Sequence, residues 1–153
     1  MAKIHAEAER TVDALPNTVY AFLADYRKRP EILTPNFIDY KVEQGGRGNG
    51  TVVSYRLNAG RRERAYTMKV DEPKKGKTIR ERDTGSSLVT VWTVSPVAHG
   101  KQSNVKISTE WESSGTGIGG FMERRFAPGG LSKIYDQMLS RLGQAVSGGA
   151  GEK

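Results

Sequence analysis

The sequence predicts an α+β domain in which a curved antiparallel sheet closes on one long C-terminal helix. Three observations carry this: a period-two pattern that opens the chain, a series of Val-, Thr-, Tyr- and Trp-rich runs between residues 37 and 112, and a change to helical spacing from Ile118 onward. Only short turns separate the runs. Successive strands so joined must be antiparallel, because parallel neighbours need a crossover of a dozen or more residues. A doubly wound fold is excluded.

Taken in order, Ile4, Ala6, Ala8, Arg10 and Val12 alternate with Lys3, His5, Glu7, Glu9 and Thr11, the pattern of a strand with one sheltered face. Pro16 suits the first position of a helix, and Val19, Phe22, Leu23 and Tyr26 follow at helical spacing. Pro30 and Pro35 break the chain and leave room for a second, very short helix around Glu31 to Leu33. Turn signals at 45–50, 58–60, 73–76, 85–87 and 99–100 then delimit six runs of strand length. They are Phe37 to Glu43, Thr51 to Leu57, Arg62 to Val70, Thr78 to Arg82, Leu88 to Ser95 and Val105 to Trp111, making seven strands with the first.

In the last part, Ile118, Phe121, Met122 and Phe126 share a helical face, and Leu131, Ile134, Tyr135, Met138, Leu142 and Val146 form a stripe beyond Pro128. Pro128 with Gly129 and Gly130 should kink or interrupt this segment. A helix of about 17 residues from Gly130 would run about 25 Å, enough to cross a sheet. Residues 147–153 are small, polar and glycine-rich, so we expect a single domain over 1–146 and a flexible tail after it.

A chain of 153 residues is long enough for one good core, and 36% hydrophobic with 27% charged residues excludes a disordered or fibrous protein. With no cysteine, disulfides, thiolate metal sites and a cysteine nucleophile are excluded. The N-terminus MAKIHAEAER has no apolar signal region, and no run of ~18 apolar residues occurs. A cytoplasmic protein with no membrane span is expected.

The formal charge of +7 raises anionic partners, but the basic residues are dispersed. Their densest groups, around Arg61 and around Lys74, fall at hairpin tips, where solvated charge also guards a sheet against edge pairing. No nucleic-acid partner is expected. His5 and His99 are the only imidazoles and no carboxylate cluster joins them, so no metal is expected. The run Gly115 to Gly120 matches G-x-G-x-x-G but lacks the βαβ context of a dinucleotide site. We read it as a hinge before the terminal helix and expect no cofactor.

The passage from Glu9 through Pro16 to Asp25, the hairpin series, and the segment Phe126-Ala-Pro-Gly-Gly-Leu131 leading into an amphipathic helix together resemble the START/Bet v 1-like, or SRPBCC, superfamily. Within it, the chain resembles the bacterial polyketide cyclase/dehydrase-like proteins. The resemblance spans nearly the whole chain and implies a helix-grip fold with an apolar pocket between sheet and helix. It speaks more for fold than for activity, since such a family houses carriers, receptors and cyclases.

Ala6 and Ala8 on the first strand either leave space for such a pocket or let the terminal helix pack close. Alternation places several polar side chains on sheltered faces: Arg10 beside Ala8, Arg64 and Tyr66 beside Met68, Glu81 beside Ile79, and Thr109 beside Ile107. Arg125 falls within the stripe of Phe121 and Met122. A guanidinium keeps its charge, so an inward arginine needs a carboxylate or an anionic ligand. Arg10 could pair with Glu81 and Arg125 could reach water, or either could anchor an acidic group.

Tyr55, Trp92, Tyr135 and Met138 complete the candidate ligand-binding set, with ordinary core packing as the alternative for the large rings. No committed catalytic residue emerges. Three readings stay open: a carrier of a small hydrophobic molecule, acting as monomer or homodimer; a polyketide cyclase or dehydratase in which Arg10, Tyr66, Glu81 or Arg125 assists proton transfer; and binding of nucleic acid or an anionic membrane through the basic surface.

Overall fold

The structure, a computed structural model, describes residues 2–59, 62–113 and 128–151. In chain order these form β1 (Ala2–Val12), α1 (Pro16–Ala24), a short 3-10 helix (Arg29–Glu31), β2 (Phe37–Gln44), β3 (Val52–Ala59), β4 (Arg62–Lys74), β5 (Thr78–Asp83), β6 (Val89–Val97), β7 (Gln102–Ser113) and α2 (Pro128–Gly151). The seven strands make one antiparallel sheet in the order β1-β7-β6-β5-β4-β3-β2. Six are a meander. The first strand returns to pair along its whole length with the last, from Ala2 opposite Ser113 to Val12 opposite Ser103.

Helix α2 packs chiefly against β1, and α1 fills in against β6 and β7. This is the helix-grip arrangement, with Leu131, Ile134, Tyr135, Met138, Leu139, Leu142 and Val146 of α2 all buried against the sheet. Small residues on β1 serve that contact: Ala6 is in the core, Ala8 is partly buried beside it, and the β1 backbone N–H of Glu7 donates to Ser132 Oγ on α2. Close packing is therefore the use of the two alanines, and neither borders the cavity described below.

One departure from expectation has a physical cause. The second short helix lies at Arg29–Glu31 rather than around Glu31 to Leu33, because Pro30 is tolerated in a first turn, where its missing N–H has no partner to lose. Helix α2 runs from Pro128 to Gly151.

The glycine-rich turn at 45–50 is more than a flexible link. Gly45, Gly48 and Gly50 adopt φ of 68°, 61° and 93°, values that glycine adopts with least strain. That path lets Gly48 N–H donate to Ala24 C=O and Gly46 C=O accept from Tyr26 N–H, which fixes the chain where it leaves α1.

Candidate functional site

Between the sheet, the 3-10 helix and α2 lies a partly open cavity of about 40 Å³. One water needs roughly 10–15 Å³ of such space, so the cavity exceeds a single-water void. Its wall is mostly apolar and aromatic: Tyr55 packs against Phe37, Tyr40 and Tyr66 with ring centroids 5.2, 6.4 and 5.8 Å away, and Val53, Leu57, Leu88, Ile107, Leu131 and Met138 add to it.

The charged part of the wall comes from the 3-10 helix and β5. Glu81 is buried because β5 alternates, with Ile79, Glu81 and Asp83 inward and Arg80 and Arg82 outward. Its partner is Arg29, buried to 4% exposure, whose Nη1 donates to Glu81 Oε2 at 3.0 Å. The Tyr26 hydroxyl donates to the same oxygen at 2.5 Å. Arg29 Nη2 reaches Leu23 C=O at 2.8 Å, satisfying one of the carbonyls that the end of α1 leaves open and placing positive charge at the negative end of that helix.

The guanidinium carbon lies 4.3 Å from the Tyr26 ring centroid and 5.0 Å from that of Trp92, so two π-faces share its charge. The Tyr40 hydroxyl donates to Tyr26 C=O and ties this corner to β2. Burial alone would weaken the Arg29 charge, but the groups facing it, the Glu81 carboxylate among them, outweigh burial and hold the guanidinium protonated above its ordinary value. Burial, reinforced by the Glu81 charge, pushes the Tyr26 hydroxyl far up, so it stays a neutral donor.

A second polar group is uncharged. Thr90 and Thr109 are direct cross-strand partners whose hydroxyls are 2.7 Å apart, and Thr109 in turn bonds the Tyr135 hydroxyl from α2. Burial pushes Tyr135 up to about 12 despite these hydrogen bonds. A third lies near the aromatic wall: Asp83 accepts from Ser86 Oγ at 2.6 Å and Thr67 N–H at 3.2 Å, and Arg64 Nη2 stands 3.8 Å from it. The Arg64 guanidinium also sits 5.2 Å over the Tyr66 ring.

Of the sequence-derived candidates, Tyr55, Tyr66, Glu81, Trp92, Tyr135 and Met138 line the cavity. Thr109 and Arg64 lie one contact behind it, through Tyr135 and Tyr66. Arg10 is corrected: it shares the parity of Ala6 and Ala8 but is exposed, and the partner expected for it, Glu81, belongs to Arg29. Phe121, Met122, Arg125 and the glycine run 115–120 lie outside the described residues.

Sequence reasoning missed Arg29, Tyr26, Tyr40 and Thr90. Arg29 sits in a single turn immediately before Pro30, where no periodicity reports direction; the one available signal was the inward Glu81, which demanded a cation from somewhere. Among the described residues, no group of three or more histidines or carboxylates is placed to hold a metal ion. Likewise, no described helix is long and apolar enough to cross a membrane.

The architecture, with its mostly apolar cavity between sheet and helix, defines a helix-grip protein of the Bet v 1-like class. Residues 3–147 match the family model described as polyketide cyclase / dehydrase and lipid transport, and the chain belongs to that family. It is similar to the KanY protein, known from a solution structure, at 38% identity over 96% of this chain and 99% of that one, with a TM-score of 0.83. The Zhui aromatase/cyclase of a Streptomyces species shares the fold at 16% identity, covering 95% of this chain and 94% of that one, with a TM-score of 0.76. So does ginseng (Panax ginseng) major latex-like protein 151, at 11% identity over 94% and 97% and a TM-score of 0.71. The comparison with curated proteins found no match.

Proposed function

We propose that the protein binds a small, largely hydrophobic molecule in the cavity between sheet and α2. The observation that carries this reading is the cavity itself, an apolar and aromatic enclosure that retains a buried Arg29–Glu81–Tyr26 cluster instead of filling with aliphatic side chains. A buried ion pair is a poor way to stabilise a core, since apolar replacements of equal volume often do as well or better. A polar corner on an apolar chamber does suit the orienting of a ligand. The family description, which includes lipid transport, supports the same reading.

Native mass spectrometry of freshly purified protein tests it, together with titration of the fluorescent probe anilinonaphthalene sulfonate. Met138→Trp, which fills the chamber from α2, should abolish bound mass and probe fluorescence while leaving the circular dichroism spectrum unchanged. Equal binding by Met138→Trp would remove the cavity from the reading.

A second reading, cyclase- or dehydratase-type catalysis, is favoured by one specific arrangement. A carboxylate in an apolar chamber is a base placed to take a proton from an acidified carbon, and Glu81 stands there beside a guanidinium and a protonated phenol that can attend the developing oxyanion. The family name and the similarity to the Zhui aromatase/cyclase support it. Its test is product formation from a poly-β-ketone substrate, with Glu81→Gln slowing turnover while binding persists. No cyclised product at any enzyme concentration would leave the carrier reading alone.

A further inference from the structure

Five tyrosines line the cavity, and four of them have their hydroxyls engaged. Tyr26 donates to Glu81, Tyr40 donates to Tyr26 C=O, Tyr135 bonds Thr109, and Tyr66 interacts with Arg64. The fifth is Tyr55 on β3, whose hydroxyl bonds to no described residue. Its side chain is on the inner side of the strand, between Val53 and Leu57, which are both buried. Tyr55 is only partly buried there, although Phe37, Tyr40 and Tyr66 pack on its ring. Unlike the sealed Trp92 Nε1–H, its hydroxyl keeps accessible surface, and on this side of the sheet that surface belongs to the cavity. An unbonded phenol does nothing for an aromatic wall that phenylalanine would not do as well.

We infer that Tyr55 is the specificity-determining residue of the cavity, and that it reads a neutral hydroxyl on an otherwise apolar ligand, an alcohol or a phenol. The inference rests on the cavity-binding reading above and names the group that the site selects. Charge is disfavoured because the ions of this wall are already matched, Glu81 with Arg29 at 3.0 Å and Asp83 with Arg64 at 3.8 Å. A further ion would lie unpaired in apolar surroundings. A hydrocarbon would cover the Tyr55 hydroxyl and strip its water without replacing the hydrogen bond, and sites built to bond a polar group reject the analogue lacking it. A ketone accepts the Tyr55 proton but has none to give. A ligand hydroxyl can do both. Burial first, and then the Glu81 charge, keep the Tyr55 proton in place, and the same negative field favours a ligand O–H pointed at the Tyr55 oxygen.

Four ring probes of similar shape, cyclohexanol, cyclohexanone, methylcyclohexane and cyclohexanecarboxylate, test it when titrated calorimetrically at pH 7 into the wild type and Tyr55→Phe. The substitution should weaken cyclohexanol about tenfold and cyclohexanone by less, and should leave methylcyclohexane unchanged. Its denaturant midpoint should equal that of the wild type, because no bond within the protein is lost. A lowered midpoint would mean that the hydroxyl serves the fold, and would overturn the inference. Equal changes for cyclohexanol and methylcyclohexane would overturn it too, as would a loss for cyclohexanone as large as that for cyclohexanol. So would tightest binding of cyclohexanecarboxylate by the wild type. Failure of all four probes, with anilinonaphthalene sulfonate still bound, would overturn the inference and leave the cavity reading standing. Failure of that dye as well would overturn both.

Discussion

Arg80 and Glu81 are neighbours on β5, and each holds an ion pair, but on opposite faces of the sheet. On the outer face Arg80 makes two bonds to Asp71, its direct cross-strand partner, at 3.0 and 2.6 Å. On the inner face Glu81 takes one guanidinium bond of 3.0 Å from Arg29 and one from Tyr26. By geometry alone the outer pair is the better one. Its side chains are about a third exposed, whereas those of Arg29 and Glu81 are 5% and 9% exposed. Water competes for the first pair and is kept from the second, so removing a member should matter little outside and greatly inside.

The largest expected effect follows directly. Glu81→Ala leaves the Arg29 guanidinium buried with its charge uncompensated and the Tyr26 hydroxyl without an acceptor, which should destabilise the fold by about 3–5 kcal/mol. Denaturant unfolding checks it. The double change Arg29→Met with Glu81→Leu should cost clearly less than the sum of the single ones, because it removes both charges at similar volume. Strict additivity would mean that the two side chains are not coupled, and the contrast with the outer face would collapse.

An alkaline titration probes the inner face without touching its ion pair. Tyr135 titrates in the fold near 12 against an ordinary phenol value of 10.0, because burial disfavours its anion. A raised folded value means that this contribution is fully present below about pH 10 and is lost as pH climbs toward 12, where the unfolded chain has released its proton and the folded one has not. The loss is at most about 1.4 kcal/mol per pH unit for each such tyrosine. Tyr26 and Tyr55, held still higher by burial first and the Glu81 charge second, add to the same slope. Stability measured at pH 9 and pH 11 should therefore fall steeply in the wild type and less steeply in Tyr135→Phe. Identical slopes would show that Tyr135 reaches solvent.

The two faces also mark how far the sequence could be read. Strand parity put Glu81 inward correctly, since a residue's side of a pleated sheet follows from its position alone. Parity says nothing about whether another element covers that side. Arg10 lies on the Ala6 face of β1 and is exposed all the same, while Val12 beyond it is buried. Coverage depends on where α2 lies, a tertiary fact that local pattern does not encode. Arg29 was unreadable for a different reason. One 3-10 turn presents too few residues for a period, and its burial arises from bonds to Leu23 and Glu81, the latter far along the chain. The fold repeats its signals over many residues; the charged corner of the site appears once.

The smallest expected effect belongs to the outer face. Arg80→Ala should cost less than about 1 kcal/mol at neutral pH, because solvent screens the pair and both side chains lose freedom in forming it. Its signature should be pH. The Arg80 hydrogen bond and charge hold the Asp71 carboxyl below its ordinary value of 3.8, so the pair's contribution is present above that value and is lost as pH falls through the lowered folded one. Wild type and Arg80→Ala should differ slightly at pH 7 and converge in strong acid, and added salt should narrow the gap at pH 7. A loss at pH 7 as large as that of Glu81→Ala would mean that geometry, rather than exclusion of water, sets the strength of these pairs, and the reading of Glu81 as the costly, ligand-facing member would lose its physical basis.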